Sequence, residues 1–495
     1  MEEPENERSE GCQSRRQRLL VLGICCMSLL IVGLDTTIVN VALPSIRRDL
    51  HASVSGLQWV IDAYTLVLAS LLMLSGSTAD RIGRKRVFQA GLVVFSVGSL
   101  LCGVASSLEL LIAFRVLQAI GGSMLNPVAM SIIRNVFDDP RERAAAIGIW
   151  GAVFGISMAL GPVLGGALVD SVGWRAVFFV NVPIGAAAVA LTAAFVPESR
   201  AEHPRRLDPV GQLLVIAALA SLTYAIIEAP RAGWASDGIL VLFAFSLAAF
   251  TTLVLYELRR REPLLEMRFF RSAPFSGAST IAVCVFAAMG GFLFLNTLYL
   301  QEVRHLSPLD AGLYLLPMAL MVLVCSPLSG RIVGRRGARI PLVTASLALI
   351  AASVMLTRLT PTTSVAYLLS AYFVFGVGAG LVNPPITNTA VSGMPPSQAG
   401  VAAAIASTSR QVGFTLGVAV IGAIAGGTLS GAIQPSFAAE THAGWWVIAG
   451  LGVVSLAVGL LTTTGWARST ARRTAERFRE GPAPARYRRG ELAAG

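Results

Sequence analysis

Long apolar runs separated by short polar segments are the main pattern along this 495-residue chain. Many of the runs exceed the roughly 18 to 20 residues with which an α-helix crosses a bilayer. Because lipid cannot satisfy free backbone groups, a chain with so many spans must form a helix bundle. The pattern predicts fourteen membrane-spanning helices, at 19–44, 54–76, 87–104, 109–135, 142–170, 174–196, 209–230, 237–258, 273–301, 308–330, 339–360, 364–390, 397–427 and 442–466.

Composition favours the same fold class, an all-α polytopic membrane protein. Apolar residues make up 54% of the chain and charged residues 14%, whereas a soluble domain carries about 25% charged residues. The six cysteines show neither a disulfide framework nor metal-ligand spacing, so we expect apolar fillers and no metal site. The first apolar run is too long for a signal peptide and lacks a small-residue cleavage site, which predicts an uncleaved first span.

The 39 Lys and Arg residues are distributed unevenly between the two predicted sides of the membrane. With a cytosolic N-terminus, 31 of them fall in cytosolic segments and six on the opposite side. Since cytosolic loops of membrane proteins carry the excess of basic residues, both termini are expected in the cytosol. This distribution also explains the net charge of +11 as an insertion signal and an attraction to anionic membrane lipid. No nucleic-acid partner is therefore expected.

Two loops of similar sequence indicate an internal duplication. GSTADRIGRKRVF (76–88) follows helix 2, and GRIVGRRGARIPL (330–342) follows helix 10. Helices 1–6 thereby pair with helices 9–14, as in secondary transporters whose site lies between parallel repeats. The predicted units are an N-terminal tail (1–18), a six-helix bundle (19–196), an extra transmembrane hairpin with its linkers (197–272), a second six-helix bundle (273–466) and a basic C-terminal tail (467–495).

Three charged residues lie inside spans of the first bundle, where a charge facing lipid is costly. Asp35, Asp62 and Arg115 fall at similar depths, about 9 to 14 Å from the outer end of their helices at 1.5 Å per residue. Arg115 favours ionised carboxylates, whereas burial and a second acid favour protonation. The three residues are therefore predicted to form one proton-coupling group, and a purely structural ion-pair network is the alternative.

Three further sets of residues are candidates for gating, packing and substrate binding. In loop 76–88, Asp80 lies among cations and is expected to pair with Arg84 or a helix N-terminus at an inner gate; this gate motif comprises Gly76, Asp80, Arg81, Gly83 and Arg84. Helix 5 has glycines at spacings that permit close helix contact, and together with a proline they form the helix 5 motif of Gly155, Gly161, Pro162, Gly165 and Gly166. A polar and aromatic substrate cavity is expected from Trp59, Tyr64, Asn296, Tyr299, Gln301, Asn383 and Arg410.

Several segments resemble the fourteen-helix drug:proton antiporters of the major facilitator superfamily. They include GLDTTIVNVALPSI (33–46), the loop 76–88, LIAFRVLQAIGGSMLNP (111–127) and GISMALGPVLGGALVD (155–170). In that family the Arg at the position of Arg115 is implicated in proton transfer, and the helix 5 motif marks exporters. Many members have an uncharged residue at the position of Asp62, so the resemblance supports Asp35 and Arg115 more directly.

The resemblance implies a proton-driven, alternating-access exporter of small hydrophobic or cationic drugs, in the bacterial plasma membrane. It would act as a monomer, need no cofactor and not be an enzyme. A dedicated exporter of one endogenous metabolite or antibiotic is the alternative, and an Arg-rich chain with Lys85 as its only lysine is compatible with an antibiotic producer. A membrane enzyme or an ATP-driven pump would need a catalytic constellation or a P-loop, and neither motif is present in the sequence.

Overall fold

The computed structural model describes residues 14–201, 207–260, 262–392, 394, 398–426 and 437–479. Most of the predicted N-terminal tail and the end of the predicted C-terminal tail lie outside these residues. Within them the chain is helical and has no β-strand. Fourteen helices of this part are long and apolar enough to cross a membrane. The prediction of an all-α polytopic membrane protein with fourteen spans is therefore confirmed.

Most of the spans are single helices, and three are interrupted. The interruptions lie at Val180 in span 6, at a π-helical turn from Tyr299 to Val303 that ends span 9, and at Leu315 in span 10. In chain order the helices are α1 (Arg15–Leu50), α2 (Val54–Ile82), α3 (Arg84–Gly103), α4 (Leu108–Val136), α5 (Pro140–Ser171), α6 (Ala176–Phe179), α7 (Asn181–Phe195), α8 (Pro209–Ala232), α9 (Asp237–Glu257), α10 (Ala273–Leu298), α11 (Pro308–Tyr314), α12 (Leu316–Arg336), α13 (Arg339–Leu356), α14 (Val365–Val391), α15 (Ala399–Gly426), α16 (Phe437–Glu440), α17 (His442–Thr462) and α18 (Gly465–Arg479).

The helices pack as two six-span bundles and a hairpin. In the first bundle α3 packs on α4, α1 on α5 and α2 on α4. In the second bundle α10 packs on α15, α12 on α14, and α13 on both α14 and α17. Helices α8 and α9 pack on each other as the hairpin, and α8 also contacts both α2 and α15. The extra hairpin thus lies against a seam between the bundles.

The two bundles contact each other directly at one end of the molecule. Because the number of spans is even, Arg15 and α18 lie at the same end, which we call the termini end; the opposite end is the far end. At the far end Gln58 of α2 donates hydrogen bonds to the carbonyls of Val418 (3.1 Å) and Ala419 (2.9 Å) of α15. Gln301 donates to the Val41 carbonyl at 2.9 Å. The far end is therefore closed by direct contacts between the bundles.

A short amphipathic helix, α18, follows the last span, where only a basic tail was predicted. Its alanines Ala467 and Ala471 are buried, and its Thr470 hydroxyl accepts a hydrogen bond from the backbone of Ala273 at 2.9 Å. The Phe478 ring packs on Phe269, with 5.3 Å between the ring centroids. The segment forms a helix because its small and apolar residues recur on one face, which packs against the start of the second bundle.

Candidate functional site

A buried ion pair joins α1 to α4 in the first bundle. The Arg115 Nη1 atom lies 2.5 Å from Asp35 Oδ2, and Asp35 and Arg115 are 0% and 1% exposed. Two charges removed from water in this way are stable together only when each has a close partner and further hydrogen bonds. The structure thus brings together two of the three residues expected to form the proton-coupling group.

Two neutral side chains complete the coordination of the Asp35 carboxylate. Gln118 donates to Asp35 Oδ1 at 2.8 Å and accepts a hydrogen bond from Arg115 at 2.8 Å. Asn181 of α7 donates to the same Oδ1 at 3.3 Å. Sequence reasoning missed both residues, although Gln118 lies one helical turn after Arg115, where it shares a face with it. The Asp35 carboxylate of α1 is therefore held by side chains of α4 and α7.

The guanidinium of Arg115 is held from a second direction by α2. Its Nε donates to the Val60 carbonyl at 3.1 Å, and its Cζ lies 4.1 Å from the centre of the Tyr64 ring. A cation over an aromatic face is stabilised by the ring quadrupole, more strongly where water is excluded. Tyr64 was expected to line the substrate cavity; it is 0% exposed and belongs to the ion-pair site instead.

Asp62 is separate from this ion pair, contrary to the expectation that the three residues share one group. Its Oδ1 accepts from the Thr65 hydroxyl at 3.4 Å, and the Thr65 oxygen accepts from Thr415 of the second bundle at 2.8 Å. No cation among the described residues lies within 4.0 Å of the Asp62 carboxylate, and its Oδ2 has no hydrogen-bond partner there.

Helix rotation explains this separation. Residues advance by about 100° each around an α-helix, so positions two apart face nearly opposite directions. Val60 and Tyr64 contact Arg115, whereas Gln58 and Thr65 contact α15. Asp62 shares the face of Gln58 and Thr65, at spacings of four and three residues. The Asp62 carboxylate thus lies at the seam between the bundles. Depth along the helix, which was the basis of the prediction, does not show which way a side chain faces.

The loop after α2 is held by hydrogen bonds to the segment that follows α7. The Asp80 carboxylate accepts from Arg84 Nη2 at 2.9 Å and Nε at 3.1 Å. The Arg84 amide donates to the Ser199 carbonyl at 2.9 Å, and the Ala201 amide donates to the Asp80 carbonyl at 3.1 Å. Gly83 between them has a φ of +128°, a backbone conformation that glycine adopts without a steric penalty. Asp80 and Arg84 are four residues apart, but their ion pair joins the end of α2 to the start of α3. Their backbone groups bind both helices to the segment that follows α7.

Glu198 extends these contacts toward the basic residues of the same loop. Its carboxylate accepts from the Lys85 amide at 3.1 Å and lies 3.6 Å from Arg86. The remaining members of the predicted gate motif have less specific surroundings. Arg81 is exposed at the termini end, and a Cβ on Gly76 would lie 3.6 Å from Pro127 of α4, an ordinary van der Waals distance.

The glycines of α5 differ in what surrounds them. A side chain on Gly161 would collide with Thr37 of α1, and one on Gly165 would meet Ile38 of α1 at 2.7 Å. These two glycines therefore set the close approach of α5 to the part of α1 that directly follows Asp35. Gly155 is buried, but nothing among the described residues lies within 4 Å of the position of a Cβ there.

The same helix also touches the second bundle at the far end. A Cβ on Gly166 would collide with the backbone of Pro308 and Leu309, and one on Gly312 would collide with the carbonyl of Pro162. These reciprocal glycine contacts join α5 to α11. The helix 5 motif therefore connects the helix that carries Asp35 with the second bundle.

Three residues expected to line the substrate cavity in span 9 are used elsewhere. Asn296 accepts from the Tyr372 hydroxyl at 2.7 Å inside the second bundle. The Tyr299 hydroxyl donates to the Thr360 carbonyl at 2.6 Å, and Gln301 bonds across to α1 at the far end. All three residues are buried. Their side chains bond within the second bundle or close the far end, so they do not face a cavity.

Compared with the three residues of span 9, Arg410 and Trp59 are more compatible with a substrate-binding surface. Arg410 Nη1 donates to Asn383 Oδ1 at 3.3 Å and to the Thr387 hydroxyl at 3.4 Å. Trp59 Nε1 donates to Glu228 of the hairpin at 3.1 Å. Arg410 and Asn383 are half-buried, and no acid among the described residues pairs with Arg410. This cation lies in the termini half of the second bundle, and its side-chain partners among the described residues are neutral.

Fourteen spans among the described residues, arranged as two six-span bundles with a hairpin at their seam and a buried ion pair inside the first bundle, form the architecture of a membrane transporter. The family model of the Major Facilitator Superfamily matches residues 25–418. The chain belongs to this superfamily. It is 37% identical over 420 residues to multidrug resistance protein Stp of Mycobacterium tuberculosis, covering 85% of this chain and 78% of that protein.

A second relative and a solved structure agree with this assignment. The chain is 38% identical over 400 residues to the tetracenomycin C resistance and export protein of Streptomyces glaucescens, covering 80% of this chain and 74% of that protein. The structure of a bacterial homologue of the human drug peptide transporters PepT1 and PepT2 matches with a TM-score of 0.64 and 14% identity, covering 92% of this chain and 99% of that one. The fold is thus that of a major facilitator, with an extra hairpin.

Proposed function

We propose that this protein is a proton-coupled antiporter that exports small hydrophobic or cationic molecules by alternating access. The observation that carries the proposal is the buried Asp35–Arg115 pair. Its carboxylate can bind and release a proton, and ionisable groups inside a membrane bundle usually have a function. Membership of a transporter family and the similarity to multidrug and antibiotic resistance proteins support export. Protons and the small-molecule substrate are its proposed partners, and we propose no cofactor and no catalytic reaction.

The geometry suggests how a proton is linked to movement. Ionised Asp35 is held by Arg115, Gln118 and Asn181. Protonation removes the negative charge and weakens these three contacts, because hydrogen bonds to an ionised group are the stronger ones. Thr37 and Ile38 follow on the same helix and pack against the α5 glycines. A change at Asp35 thereby reaches the contact between α5 and α11.

The contacts between the bundles suggest which face admits the substrate. The far end is closed by Gln58, Gln301 and the glycine contacts of α5 and α11. Alternating access requires a second state in which these contacts separate and the termini end closes. We propose that the termini end faces the cytosol, as the distribution of basic residues indicates, and that the membrane is the plasma membrane of a bacterium. The state described would then bind substrate from the cytosol.

A dedicated exporter of a single antibiotic is a second candidate. Two of the relatives are each named for resistance to a single antibiotic. They are the tetracenomycin C resistance and export protein and a methylenomycin A resistance protein of Streptomyces coelicolor. The two candidates differ in breadth of substrate and share the same mechanism.

Reconstitution tests the proposed function directly. Purified protein in liposomes should move a drug against its gradient when the compartment that receives the drug is acidic, and dissipation of the pH gradient with an ionophore should stop this movement. A panel of chemically unrelated drugs then separates the two candidates. Drug movement that is identical with and without the pH gradient would contradict proton coupling.

A further inference from the structure

Arg410 is a charged residue inside the second bundle that the Asp35–Arg115 site does not use. It lies on α15, about 16 Å from the start of that helix at 1.5 Å per residue, where a charge is costly and usually has a function. Neither Asp nor Glu occurs in the long helices of this bundle, α10, α12, α13, α14, α15 and α17. Asp62 of α2, which faces α15, lies outside ion-pair distance of every described cation. The helices that enclose Arg410 therefore supply no counter-charge.

The guanidinium of Arg410 uses only one of its nitrogens for hydrogen bonds to the described residues. Its Nη1 donates to Asn383 Oδ1 at 3.3 Å and to the Thr387 hydroxyl at 3.4 Å. Both acceptors are neutral, and both bonds are long for this type of contact. Nε and Nη2 make no hydrogen bond in the described part of the chain, and neither atom is sealed from solvent. One edge of the guanidinium is therefore open and without an acceptor there.

This open edge has the geometry that binds an oxyanion. The N–H groups of Nε and Nη2 are parallel, so they can donate two hydrogen bonds to two oxygens of one carboxylate or sulfonate. Hydrogen bonds between ionised partners are also roughly twice as strong as those between neutral groups. Because the phosphates of lipids lie outside the hydrocarbon core, the anion that suits this depth belongs to a small molecule that enters the bundle.

The two partners of Arg410 hold its guanidinium beside accessible space. Asn383 and Thr387 are one turn apart on α14, so they lie on the same face of that helix. Thr387 is exposed although it lies within a span, and Arg410 is only half-buried. Charged residues inside spans face the bundle interior or a water-filled cavity, since facing lipid is costly. Arg410 and Thr387 therefore border a space that a solute can enter.

We propose that Arg410 binds the negatively charged group of amphiphilic anions, such as organic carboxylates and sulfonates. The proposal rests on the proposed export function and deepens it, because it adds anions to the hydrophobic and cationic substrates and names the residue that selects them. Asn383 and Thr387 are positioning residues. They hold the guanidinium with its free edge open, which reduces the ordering that binding requires.

Protection of a single cysteine from chemical modification tests the proposal without relying on transport. Thr387→Cys in a cysteine-free variant places a thiol beside the guanidinium, and its reaction with a neutral methanethiosulfonate is followed in purified protein. Anilinonaphthalene sulfonate, an amphiphilic anion, should slow this reaction. Phenylnaphthylamine, which has the same aromatic skeleton without the sulfonate, should slow it far less.

Replacing the guanidinium should remove the preference for the anion. Arg410→Gln keeps an amide donor for Asn383 and should raise the concentration of anilinonaphthalene sulfonate needed for half-protection by about tenfold, because the charge-assisted contacts are lost. Arg410→Lys keeps the charge without the parallel donors and should give an intermediate concentration. Arg339→Gln, which removes one exposed positive charge at the termini end of the same bundle, is the matched control and should have no effect. Protection by phenylnaphthylamine should be the same in all variants.

Equal protection by the anion with and without Arg410 would overturn the proposal, as would a complete lack of protection in the parent protein. Loss of protection by both probes in Arg410→Gln and Arg410→Lys would also overturn it, because the residue would then have only a structural role. Gradient-driven efflux of a neutral drug by the unsubstituted protein separates this failure from failure of the export function. Neutral efflux without protection by the anion contradicts only the anion site. Protection by the anion without any gradient-driven efflux contradicts proton-coupled export and leaves Arg410 as an anion-binding residue.

Discussion

At the residue scale, the Asp35–Arg115 pair is the feature on which the proposed mechanism depends. Guanidinium is planar and presents donors in several directions at once. Arg115 uses this property, because its Nη1 serves Asp35 and Gln118 while its Nε serves the Val60 carbonyl. A lysine in its place has one compact charged group and cannot satisfy these acceptors simultaneously.

Two substitutions of Arg115 should therefore separate the effect of its positive charge from the effect of its guanidinium geometry. Arg115→Ala leaves a buried carboxylate without its cation, which costs about 3 to 5 kcal/mol when a buried pair is broken, and should abolish gradient-driven transport. Arg115→Lys should restore only part of the activity. Initial rates of drug efflux from liposomes provide the measurement, and full activity of Arg115→Lys would contradict the role of the guanidinium geometry.

Asp62 offers a second residue-scale test, because its position at the seam is compatible with two roles. If Asp62 takes part in proton coupling, Asp62→Asn should shift the dependence of transport on pH for every substrate. If it contacts cationic drugs, the loss should be confined to cationic substrates. Comparing a cationic with a neutral drug across a range of pH distinguishes the roles, and unchanged transport of both would exclude Asp62 from either.

The same residues show what a sequence can and cannot predict about a site. Asp35 and Arg115 were predictable because charges inside apolar spans are costly and seldom present without a role. Gln118 and Asn181 were not, since neutral amides in a helix have no comparable cost. Asp62 was wrongly expected to join the Asp35–Arg115 pair, because its depth was considered without its position around α2. That position turns the Asp62 carboxylate toward α15.

At the scale of elements, α5 is the helix that links the ion-pair site to the second bundle. Its glycines allow contact with α1 at Thr37 and with α11 at Pro308. The glycine spacing predicted close helix contact, but spacing alone did not show which partner each glycine meets or that none of the described residues lies against the Cβ position of Gly155. Those facts depend on the packing of helices distant in sequence.

Leucine substitutions in α5 should distinguish packed from unpacked glycines. Gly161→Leu places a bulky side chain against Thr37 and should reduce transport by about tenfold or more, since the helices cannot approach closely. Gly151→Leu is the matched control, with the same substitution at an exposed position of the same helix where nothing among the described residues lies within 4 Å of the Cβ position, and should retain most of the activity. Both variants should be present in the membrane at similar amounts on immunoblots. Equal activity of the two would contradict the packing role.

At the scale of the whole molecule, the fourteen spans were predictable because each apolar run is long enough to cross a bilayer, and every predicted span has a helical counterpart. The residues at which the helices begin and end were less predictable. The first span was expected at 19–44, whereas α1 runs from Arg15 to Leu50, because a helix continues past the apolar stretch until a cap such as His51 ends it. The helix α18 was missed, since its apolar face is short and becomes evident only when it packs on the second bundle.

The proposed orientation places the termini end in the cytosol and can be tested by labelling. In a cysteine-free variant, Ala235→Cys lies between α8 and α9 at the far end and should react with an impermeant thiol reagent in intact cells. Glu476→Cys, exposed on α18, should react only after the cells are permeabilised. The reverse pattern would overturn the orientation and with it the direction of transport proposed from the closed far end.

The proposed mechanism as a whole requires Asp35 to carry the proton whose movement drives export. Asp35→Asn keeps the size of the side chain and removes its ability to titrate. The decisive measurement is drug efflux from liposomes that contain Asp35→Asn, with the compartment that receives the drug made acidic. We expect uphill, gradient-dependent efflux to be lost while downhill exchange of drug persists. Gradient-dependent efflux at the rate of the unsubstituted protein would show that Asp35 is not the proton carrier.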